Sequence, residues 1–471
     1  MAEAPGGARK RDALWALALF SVVLLVFAPT LGFQFVNWDD AVHVLENPYV
    51  RAPHLLDAAF WITPRVGYSI AVPELSWWLN WRLGGFAPFG YHAGNVLLHA
   101  LNTALVLRLC QRLGLGRAFA IGAALLFALH PLAAEPVSWV TGRKDLLAAT
   151  FGLASLLVWL RRSPTWRSDA VANVLFALGA LSQPSVFALP ALVFLLRKPS
   201  RRSLAAVVPA LALVATLVAA SLLRATIAIN PELNAPFPLR TFRTLGQSLR
   251  MVLPPFELSA VYVLPAARLT EPASWAGAAA LLAFLIALAR PSVRRSRAFP
   301  LLLLCGAAVA PVANVVPLLR ELGDAHLYLP MAALAALFAL AIERLASPLR
   351  PALRVALAIA PSLLCLPFLL QQCAVWQDGV TLWSVTYARQ PDVAMVCRNL
   401  GVAHAEAHRP ELALPIFERC ARQFNRDFFL YDMVLAARDL HDQEKFQTLL
   451  LEFAHAHPGH PMVRGLQGKR D

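Results

Sequence analysis

Two adjacent carboxylates, Asp39 and Asp40, are the residues of this chain best placed to do chemistry. They follow Asn37 and Trp38, a few residues beyond the first apolar stretch of the sequence. A carboxylate at the edge of a bilayer, beside a bundle of helices, costs free energy and is usually retained for a function. Their position therefore marks both residues as candidate catalytic groups.

A second candidate site combines cations with carboxylates. His130 and Glu135 follow one apolar stretch, and Arg143, Lys144 and Asp145 open the next. Two cations at a helix N-terminus can bind a phosphate or pyrophosphate, because their charges add to those of unpaired backbone N–H groups. A structural ion pair between Glu135 and Arg143 is the alternative interpretation.

Three polar residues recur with helical spacing inside one apolar stretch. Asn95, His99 and Asn102 lie at positions i, i+4 and i+7, so they share one helix face. We expect this face to point into a helical bundle, since polar groups are costly in lipid. The three side chains could bind a ligand or could join helices by hydrogen bonds.

Apolar helices must position these residues. Of the 471 residues, 58% are hydrophobic and 15% are charged, and the mean hydropathy is +0.57. We predict an all-α, polytopic membrane protein with about eleven stretches near the ~20 residues that cross a bilayer. They are residues 13–33, 91–109, 117–133, 146–160, 170–181, 185–196, 203–223, 273–289, 298–318, 327–347 and 351–371. The two short stretches around Ser182-Gln183-Pro184 are either separate short spans or a hairpin entering from the cytoplasm.

The distribution of charge predicts the orientation of the chain. Lys and Arg are clustered at Arg9, Lys10, Arg11; Arg108, Arg112, Arg117; Arg161, Arg162, Arg167; Arg197, Lys198, Arg201, Arg202; Arg290, Arg294, Arg295, Arg297; and Arg344, Arg350, Arg354. Such clusters face the cytoplasm. The N-terminus is therefore predicted to be cytoplasmic, whereas Asp39, Asp40 and the tail after residue 371 are predicted to lie outside. We interpret the first apolar stretch as a retained span, since no small-residue cleavage motif follows it.

The composition also indicates which kinds of binding partner to expect. The formal net charge of +14 arises largely from these cytoplasmic clusters, so we expect no nucleic-acid partner. No metal-site spacing of Cys residues occurs, and a divalent metal is compatible with the sequence but not indicated. The long outer segments, 34–90 and 224–272, indicate that function faces outward. The first of them carries Trp61, Trp77, Trp78 and Trp81, which is typical of helices that contact lipid headgroups.

Longer strings of residues resemble a known family. The strings, in order, are Phe35-Val36-Asn37-Trp38-Asp39-Asp40, Glu46-Asn47-Pro48, Gly90-Tyr91-His92-Ala93-Gly94-Asn95, His99 with Asn102, Leu129-His130-Pro131, Glu135, Gly142-Arg143-Lys144-Asp145, Leu181-Ser182-Gln183-Pro184 and Tyr328-Leu329-Pro330. As an ordered set they resemble the transmembrane and tetratricopeptide-repeat protein O-mannosyltransferases and their bacterial relatives. The strings cover most of residues 31 to 331.

The resemblance implies a glycosyltransferase of the GT-C type that uses a polyprenyl-phosphate sugar on the outer face of the membrane. It implies that Asp39 or Asp40 is the general base for an acceptor hydroxyl, with inversion at the anomeric carbon. Arg143 and Lys144 would stabilise the departing phosphate. The predicted donor- and substrate-binding residues are Glu135, Arg143, Lys144, Asp145, His99 and His130. A hexose such as mannose would pass to Ser or Thr of an exported protein, and the composition favours a bacterial inner membrane.

Two positions depart from the family pattern. Gln183 stands where relatives tend to have Lys, and Ala325 stands where they usually have Arg. Two expected cations are thus missing, so a non-catalytic membrane-anchored scaffold for envelope assembly is one alternative. A ligase or polymerase of lipid-linked glycans, with the same broad architecture, is another.

The tail, residues 372–471, is polar, has helical periodicity and is predicted to form a separate periplasmic domain. Leu400-Gly401 and Ala413-x3-Phe417 match the tetratricopeptide pattern of ~34 residues, although Pro415 falls inside its second helix. We expect the tail to present the acceptor polypeptide. Cys397 and Cys420 would then lie on antiparallel helices in an oxidising compartment, where a disulfide can form.

Overall fold

The computed structural model describes residues 5–197, 199–223, 237–264, 270–316, 318, 320–461 and 463, with the side chains of residues 5–12 left out. Residues 224–236 and 265–269 of the predicted outer segment 224–272 therefore lie outside the described residues, as do Lys198 and the side chains of Arg9, Lys10 and Arg11.

The described residues form helices and contain no β-strand, which confirms the predicted all-α class. The first eleven helices are α1 (Pro5–Phe27), α2 (Pro48–Arg51), α3 (Ala58–Ile62), α4 (Ala71–Gly84), α5 (Pro88–Arg112), α6 (Arg117–Leu129), α7 (Ala134–Ser138), α8 (Arg143–Trp159), α9 (Trp166–Ala180), α10 (Leu189–Leu196) and α11 (Arg201–Leu223). The others are α12 (Leu239–Val252), α13 (Pro272–Ala289), α14 (Pro291–Arg294), α15 (Ala298–Val309), α16 (Tyr328–Leu345), α17 (Pro351–Val375), α18 (Gly379–Arg389), α19 (Ala394–Glu406), α20 (Pro410–Gln423), α21 (Asp427–Asp439) and α22 (Gln443–Ala456).

Local sequence explains where several helices begin. Pro88 lies in the first turn of α5, where its fixed φ suits the helix and its missing N–H is not needed. Thr165 precedes α9, and its hydroxyl accepts a hydrogen bond from the Ser168 N–H while the Ser168 hydroxyl accepts one from the Thr165 N–H. These caps satisfy backbone groups that the helix itself leaves without partners.

Six helices are long and apolar enough to cross a membrane, so the chain is a multi-pass membrane protein. They are Ala13–Gly32, Pro88–Arg112, Arg201–Leu223, Pro272–Ala289, Asp324–Leu345 and Pro351–Val375. A seventh is reached if the pair Arg117–Leu129 and Pro131–Ser138, bent by 53°, is one span. By this measure of length and composition, the predicted count of eleven spans is not confirmed.

The difference in count has a physical origin. Four predicted spans correspond to helices of 17, 15, 8 and 12 residues, namely α8, α9, α10 and α15. Each is shorter than the ~20 residues that cross the hydrocarbon core. Hydropathy locates all of these apolar stretches, but it does not show where a cap or a proline ends the helix.

The chain forms two compact units. The first comprises Met1–Phe33 and Val42–Ala374, and the second comprises Gln34–Ala41 and Val375–Asp471. The segment Gln34–Ala41, which the sequence analysis placed in the first outer loop, is therefore grouped with the tail.

The tail consists of five helices, α18 to α22, and neighbouring helices pack on one another. Gly401 of α19 faces the Phe417 ring of α20 so closely that a Cβ at Gly401 would overlap the ring. Helix α20 continues through Pro415, the residue that interrupted the repeat pattern. A disulfide joins Cys397 to Cys420 with their Cα atoms 6.1 Å apart, so the pair that the repeat pattern made possible is formed.

Candidate functional site

The acidic pair lies in the second unit. Asp40 is 1% exposed, and its Oδ2 accepts a hydrogen bond from the Val36 N–H at 3.0 Å. Asp39 is half-buried. The carboxylate of Asp40 therefore closes a short turn of the chain, and Asp39 is the more accessible of the two.

Within the first unit, Glu135 is fully buried and is paired with Arg320. An oxygen of Glu135, Oε1, accepts a hydrogen bond from Arg320 Nη1 at 2.5 Å. The other oxygen accepts one from the Ala325 N–H at 3.2 Å. The alternative pair of Glu135 with Arg143 is thus wrong, because the cation that reaches Glu135 is Arg320, which lies 185 positions away in the sequence.

Arg320 keeps its charge in this setting. Burial by itself lowers the pKa of Arg320, but the carboxylate of Glu135 outweighs it and raises the pKa above its ordinary value. A second hydrogen bond runs from Arg320 Nη2 to the Ala260 carbonyl at 3.0 Å. The guanidinium is therefore a fixed, charged donor.

Lys144 and Asp145 lie near this ion pair. Asp145 interacts electrostatically with Lys144, Glu135 and Arg320, and its Oδ1 accepts a hydrogen bond from Gln183 Nε2 at 3.0 Å. The ammonium of Lys144 lies 5.4 Å from the centre of the Trp139 ring, a cation–π distance. The structure thus brings together Glu135, Lys144 and Asp145, as predicted, with the unpredicted Arg320.

Hydrogen bonds from α12 hold the loop that carries Arg320. Arg240 of α12 donates to the carbonyl of Asn314 at 2.8 Å, and Arg243 donates to Glu321 Oε2 at 2.6 Å. Asn314 in turn donates to Thr244 Oγ1 at 3.1 Å. Since these contacts lie on both sides of Arg320 in sequence, α12 fixes the position of the loop.

Arg143 is 2% exposed and contacts helices α4 and α5. Its Nε donates to Asn95 Oδ1 at 2.7 Å, and its terminal nitrogens donate to Asn80 Oδ1 and to the Tyr91 carbonyl. Gly94 makes room for it, since a Cβ there would lie 2.6 Å from Arg143 Nη2. The structure therefore uses the Arg143 guanidinium to join helices, while Lys144 and the Glu135–Arg320 pair both interact electrostatically with Asp145.

The predicted polar face of α5 points into the bundle, because Asn95, His99 and Asn102 are all fully buried. His99 Nε2 lies 3.1 Å from the Ala128 carbonyl, so this nitrogen carries the proton and Nδ1 accepts from the Tyr328 hydroxyl at 2.7 Å. Asn102 donates to the Leu146 carbonyl at 3.0 Å. These contacts favour the interhelical interpretation of His99 over the ligand interpretation.

His130 also makes structural contacts. Its Nδ1 accepts from the Leu132 N–H at 3.2 Å, which leaves Nε2 to donate to the Val252 carbonyl at 3.1 Å. The ring packs edge-on against Phe256. His130 therefore caps the turn that carries Glu135 and connects it to the end of α12.

Two further buried carboxylates were not among the predicted site residues. Asp324 is buried and accepts a hydrogen bond from the Tyr262 hydroxyl. Glu74 is buried, and its Oε1 lies 3.0 Å from both Asn47 Nδ2 and Arg65 Nε. Acidic residues inside otherwise apolar or aromatic segments were the available signal. Among the described residues, no group of three or more His, Cys, Asp or Glu side chains could hold a metal ion.

Comparison with known proteins bears on this arrangement. No protein-family model matches the chain. The protein O-mannosyl-transferase Tmtc2 of Drosophila melanogaster is 36% identical over 173 residues, which are 34% of this chain and 18% of the relative. The predicted resemblance is confirmed. TMTC2 of Mus musculus is 41% identical over 151 residues, or 30% of this chain and 18% of the relative. TMTC3 of Homo sapiens is 33% identical over 164 residues, or 32% and 18%.

The matched part of the chain thus spans less than a fifth of the length of each of these relatives. Among solved structures, the crystal structure of ArnT from Cupriavidus metallidurans bound to undecaprenyl phosphate aligns with a TM-score of 0.39 and 18% identity. That alignment covers 87% of this chain and 81% of ArnT.

Proposed function

We propose that this chain is a GT-C membrane glycosyltransferase that transfers a sugar, such as mannose, from a polyprenyl phosphate to Ser or Thr of exported proteins. The observation that carries the proposal is the sequence similarity to several protein O-mannosyltransferases. The buried set of charges around Glu135 supports it, because three of the predicted binding residues, Glu135, Lys144 and Asp145, belong to that set.

Lys144 and Arg320 are the cations that we assign to the donor phosphate. The departing phosphate gathers negative charge as the sugar leaves, and fixed donors that meet this charge lower the barrier. Arg320 stands beside Glu135, whose other oxygen is held by the N–H of Ala325, the position where relatives usually have Arg. In this proposal Arg320, five residues before Ala325, supplies one of the two cations that the family resemblance leads us to expect, which favours an enzyme over a scaffold.

Asp39 or Asp40 is the general base in this proposal. The acceptor hydroxyl oxygen forms a bond to the anomeric carbon while the bond from that carbon to the phosphate oxygen breaks. The hydroxyl proton passes to the carboxylate, and the lipid phosphate leaves with the electron pair. Of the two, Asp39 is the better candidate, since it is half-buried whereas Asp40 is only 1% exposed.

The proposed compartment is the outer face of a bacterial inner membrane, with the N-terminus in the cytoplasm and the tail in the periplasm. The clusters of Lys and Arg in the predicted cytoplasmic turns support this orientation. The tail would present the exported polypeptide, since stacked helical pairs commonly bind extended partners.

Amide variants of the acidic pair test the function. Asp39→Asn and Asp40→Asn should insert normally but leave envelope proteins without the added sugar, as measured by glycopeptide masses. Asp57→Asn is the matched control, because Asp57 is exposed and caps α3, a role that Asn also fills. Unchanged glycopeptide masses in both acidic-pair variants would contradict the enzymatic proposal.

A further inference from the structure

The segment that carries the acidic pair docks on the first two helices of the tail. Asn37 Nδ2 donates a hydrogen bond to the Asn399 carbonyl of α19 at 2.9 Å. The Gln34 N–H donates to the Gln377 carbonyl, just before α18, at 3.0 Å. Both contacts belong to the second unit, which contains the segment and the tail alike.

An aromatic pair completes the contact. The rings of Trp38 and Trp383 meet edge to face with their centres 5.3 Å apart. Trp383 is fully buried, although it lies on a helix of the tail. Aromatic pairs of this geometry add about 0.5–1.5 kcal/mol beyond the apolar area that they bury.

The fit leaves no room for a larger residue at the start of α18. A Cβ at Gly379 would overlap Asn37 Oδ1, and it would lie 3.4 Å from the Cβ of Ala403 on α19. The amide of Asn37 therefore occupies a notch between α18 and α19 that only glycine leaves open.

We infer that Asn37, Trp38 and Trp383 are positioning residues that make the tail part of the catalytic apparatus. Asn37 and Trp38 immediately precede Asp39 and Asp40, and the Asp40 carboxylate folds back on the Val36 N–H. Fixing this short turn on the tail fixes the direction of both carboxylates. The inference rests on the proposed function, and it gives the tail a role besides acceptor binding.

Hydrogen exchange tests the docking without any need for activity. In Trp383→Leu, the amides of residues 34–41 should exchange at least about 10-fold faster than in the wild type, because the Trp38 ring loses its aromatic partner and the segment detaches from the tail more often. Phe453→Leu is the matched control, since Phe453 is equally buried in the tail but packs against Tyr431 and His457. Equal protection of residues 34–41 in wild type and Trp383→Leu would overturn the docking.

Kinetics test the positioning role. Trp383→Leu should lower kcat by about 100-fold while leaving the KM for the polyprenyl-phosphate donor within about twofold, since small misplacements of a catalytic group cost rate rather than donor affinity. Trp383→Phe, which keeps a ring, should retain most of the rate. Phe453→Leu should also stay close to wild type.

The outcomes separate the two proposals. An active wild type whose Trp383→Leu variant keeps its kcat would overturn the positioning role alone. Equal losses of kcat in Trp383→Leu and Phe453→Leu would overturn it as well, because both would then reflect general instability of the tail. A pure, folded wild type that transfers no sugar from any polyprenyl-phosphate donor would contradict the proposed function itself.

Discussion

At the scale of single residues, Arg143 and Arg320 are both buried cations with different kinds of neighbour. Arg320 meets the carboxylate of Glu135, which offsets its charge. Every hydrogen bond that the Arg143 guanidinium donates in the structure goes to a neutral oxygen, namely Asn95 Oδ1, Asn80 Oδ1 and the carbonyls of Tyr91 and Ser76. Arg143 therefore adds positive electrostatic potential around the start of α8, even though its guanidinium is fully engaged in joining helices.

Variants at Arg320 can separate the effect of the ion pair on stability from its effect on donor binding. Arg320→Gln leaves Glu135 buried without a cation, which typically costs about 3–5 kcal/mol. The double variant Glu135→Gln/Arg320→Gln removes both charges, so it should recover most of that stability in thermal unfolding. We expect the double variant nevertheless to bind a polyprenyl-phosphate donor at least about 10-fold more weakly. Equal donor affinity in the folded double variant and the wild type would remove Arg320 from the phosphate site.

Glu74 predicts a dependence of stability on pH. Burial raises the pKa of Glu74 from 4.5 to about 7, although the hydrogen bond from Asn47 and the charge of Arg65 oppose the shift. A carboxyl whose folded pKa is raised stabilises the fold fully below pH 4.5, and this contribution is lost as pH rises through 7.

The matching experiment is thermal unfolding of the detergent-solubilised protein across this range. The wild type should lose about 1–3 kcal/mol between about pH 5 and about pH 8. Glu74→Gln should lose less over the same range, whereas Glu46→Gln, at an exposed position nearby, should follow the wild type. Identical pH profiles for Glu74→Gln and wild type would show that Glu74 does not titrate there.

At the scale of elements, α12 and α13 approach each other through two glycines. A Cβ at Gly246 would overlap the Ala273 carbonyl, and one at Gly277 would overlap the Phe242 carbonyl. This backbone contact affects the proposed phosphate site, because α12 also donates the hydrogen bonds that hold the loop carrying Arg320. Close packing at these glycines is thus connected to the position of a proposed binding residue.

Gly246→Ala should therefore be strongly destabilising. The added methyl group meets backbone, which cannot move aside without separating the helices, so we expect a loss of about 3 kcal/mol or more or a failure to fold. The measurement is the thermal unfolding midpoint and the monodisperse yield in detergent. Gly84→Ala serves as the control, since a Cβ at Gly84 would have nothing within 4 Å. Similar midpoints for the two variants would contradict the close approach.

The disulfide should stabilise the tail specifically. Cys397→Ser/Cys420→Ser removes a link that spans 23 positions of sequence between α19 and α20. We expect the tail to lose about 2–4 kcal/mol and to become more sensitive to limited proteolysis. Cys305→Ser, on α15, should leave the proteolysis of the tail unchanged. A tail that resists protease equally in both variants would show that the bond adds little.

At the scale of the whole molecule, the orientation in the membrane is still a prediction from charge. A periplasmic reporter fused after Asp471 should be active, and a reporter that works only in the cytoplasm should be inactive at the same site, because the tail follows an outward-facing end in the charge pattern. A fusion placed in the cluster Arg290–Arg297 should give the opposite result. Cytoplasmic activity of the tail fusion would invert the predicted topology.

Much of this molecule could be predicted from the sequence, and the contacts that were missed were missed for physical reasons. Hydropathy located the apolar stretches, helical spacing predicted the inward face of Asn95, His99 and Asn102, and the repeat pattern made a Cys397–Cys420 disulfide possible. Arg320 was missed because its partner, Glu135, lies 185 positions away, and no local pattern reports such a contact. The grouping of Gln34–Ala41 with the tail was missed for the same reason, since apolar periodicity describes each helix but not its neighbours.

That grouping has a consequence for biosynthesis. Residues 34–41 leave the ribosome early, whereas Gln377, Trp383 and Asn399, which hold this segment, follow only after more than 300 further residues. Contacts between such distant parts of a chain form late and slowly. A nascent chain interrupted before Gln377 therefore lacks all of the contacts that fix its acidic turn, so the turn becomes fully ordered only when synthesis has passed Asn399 of α19.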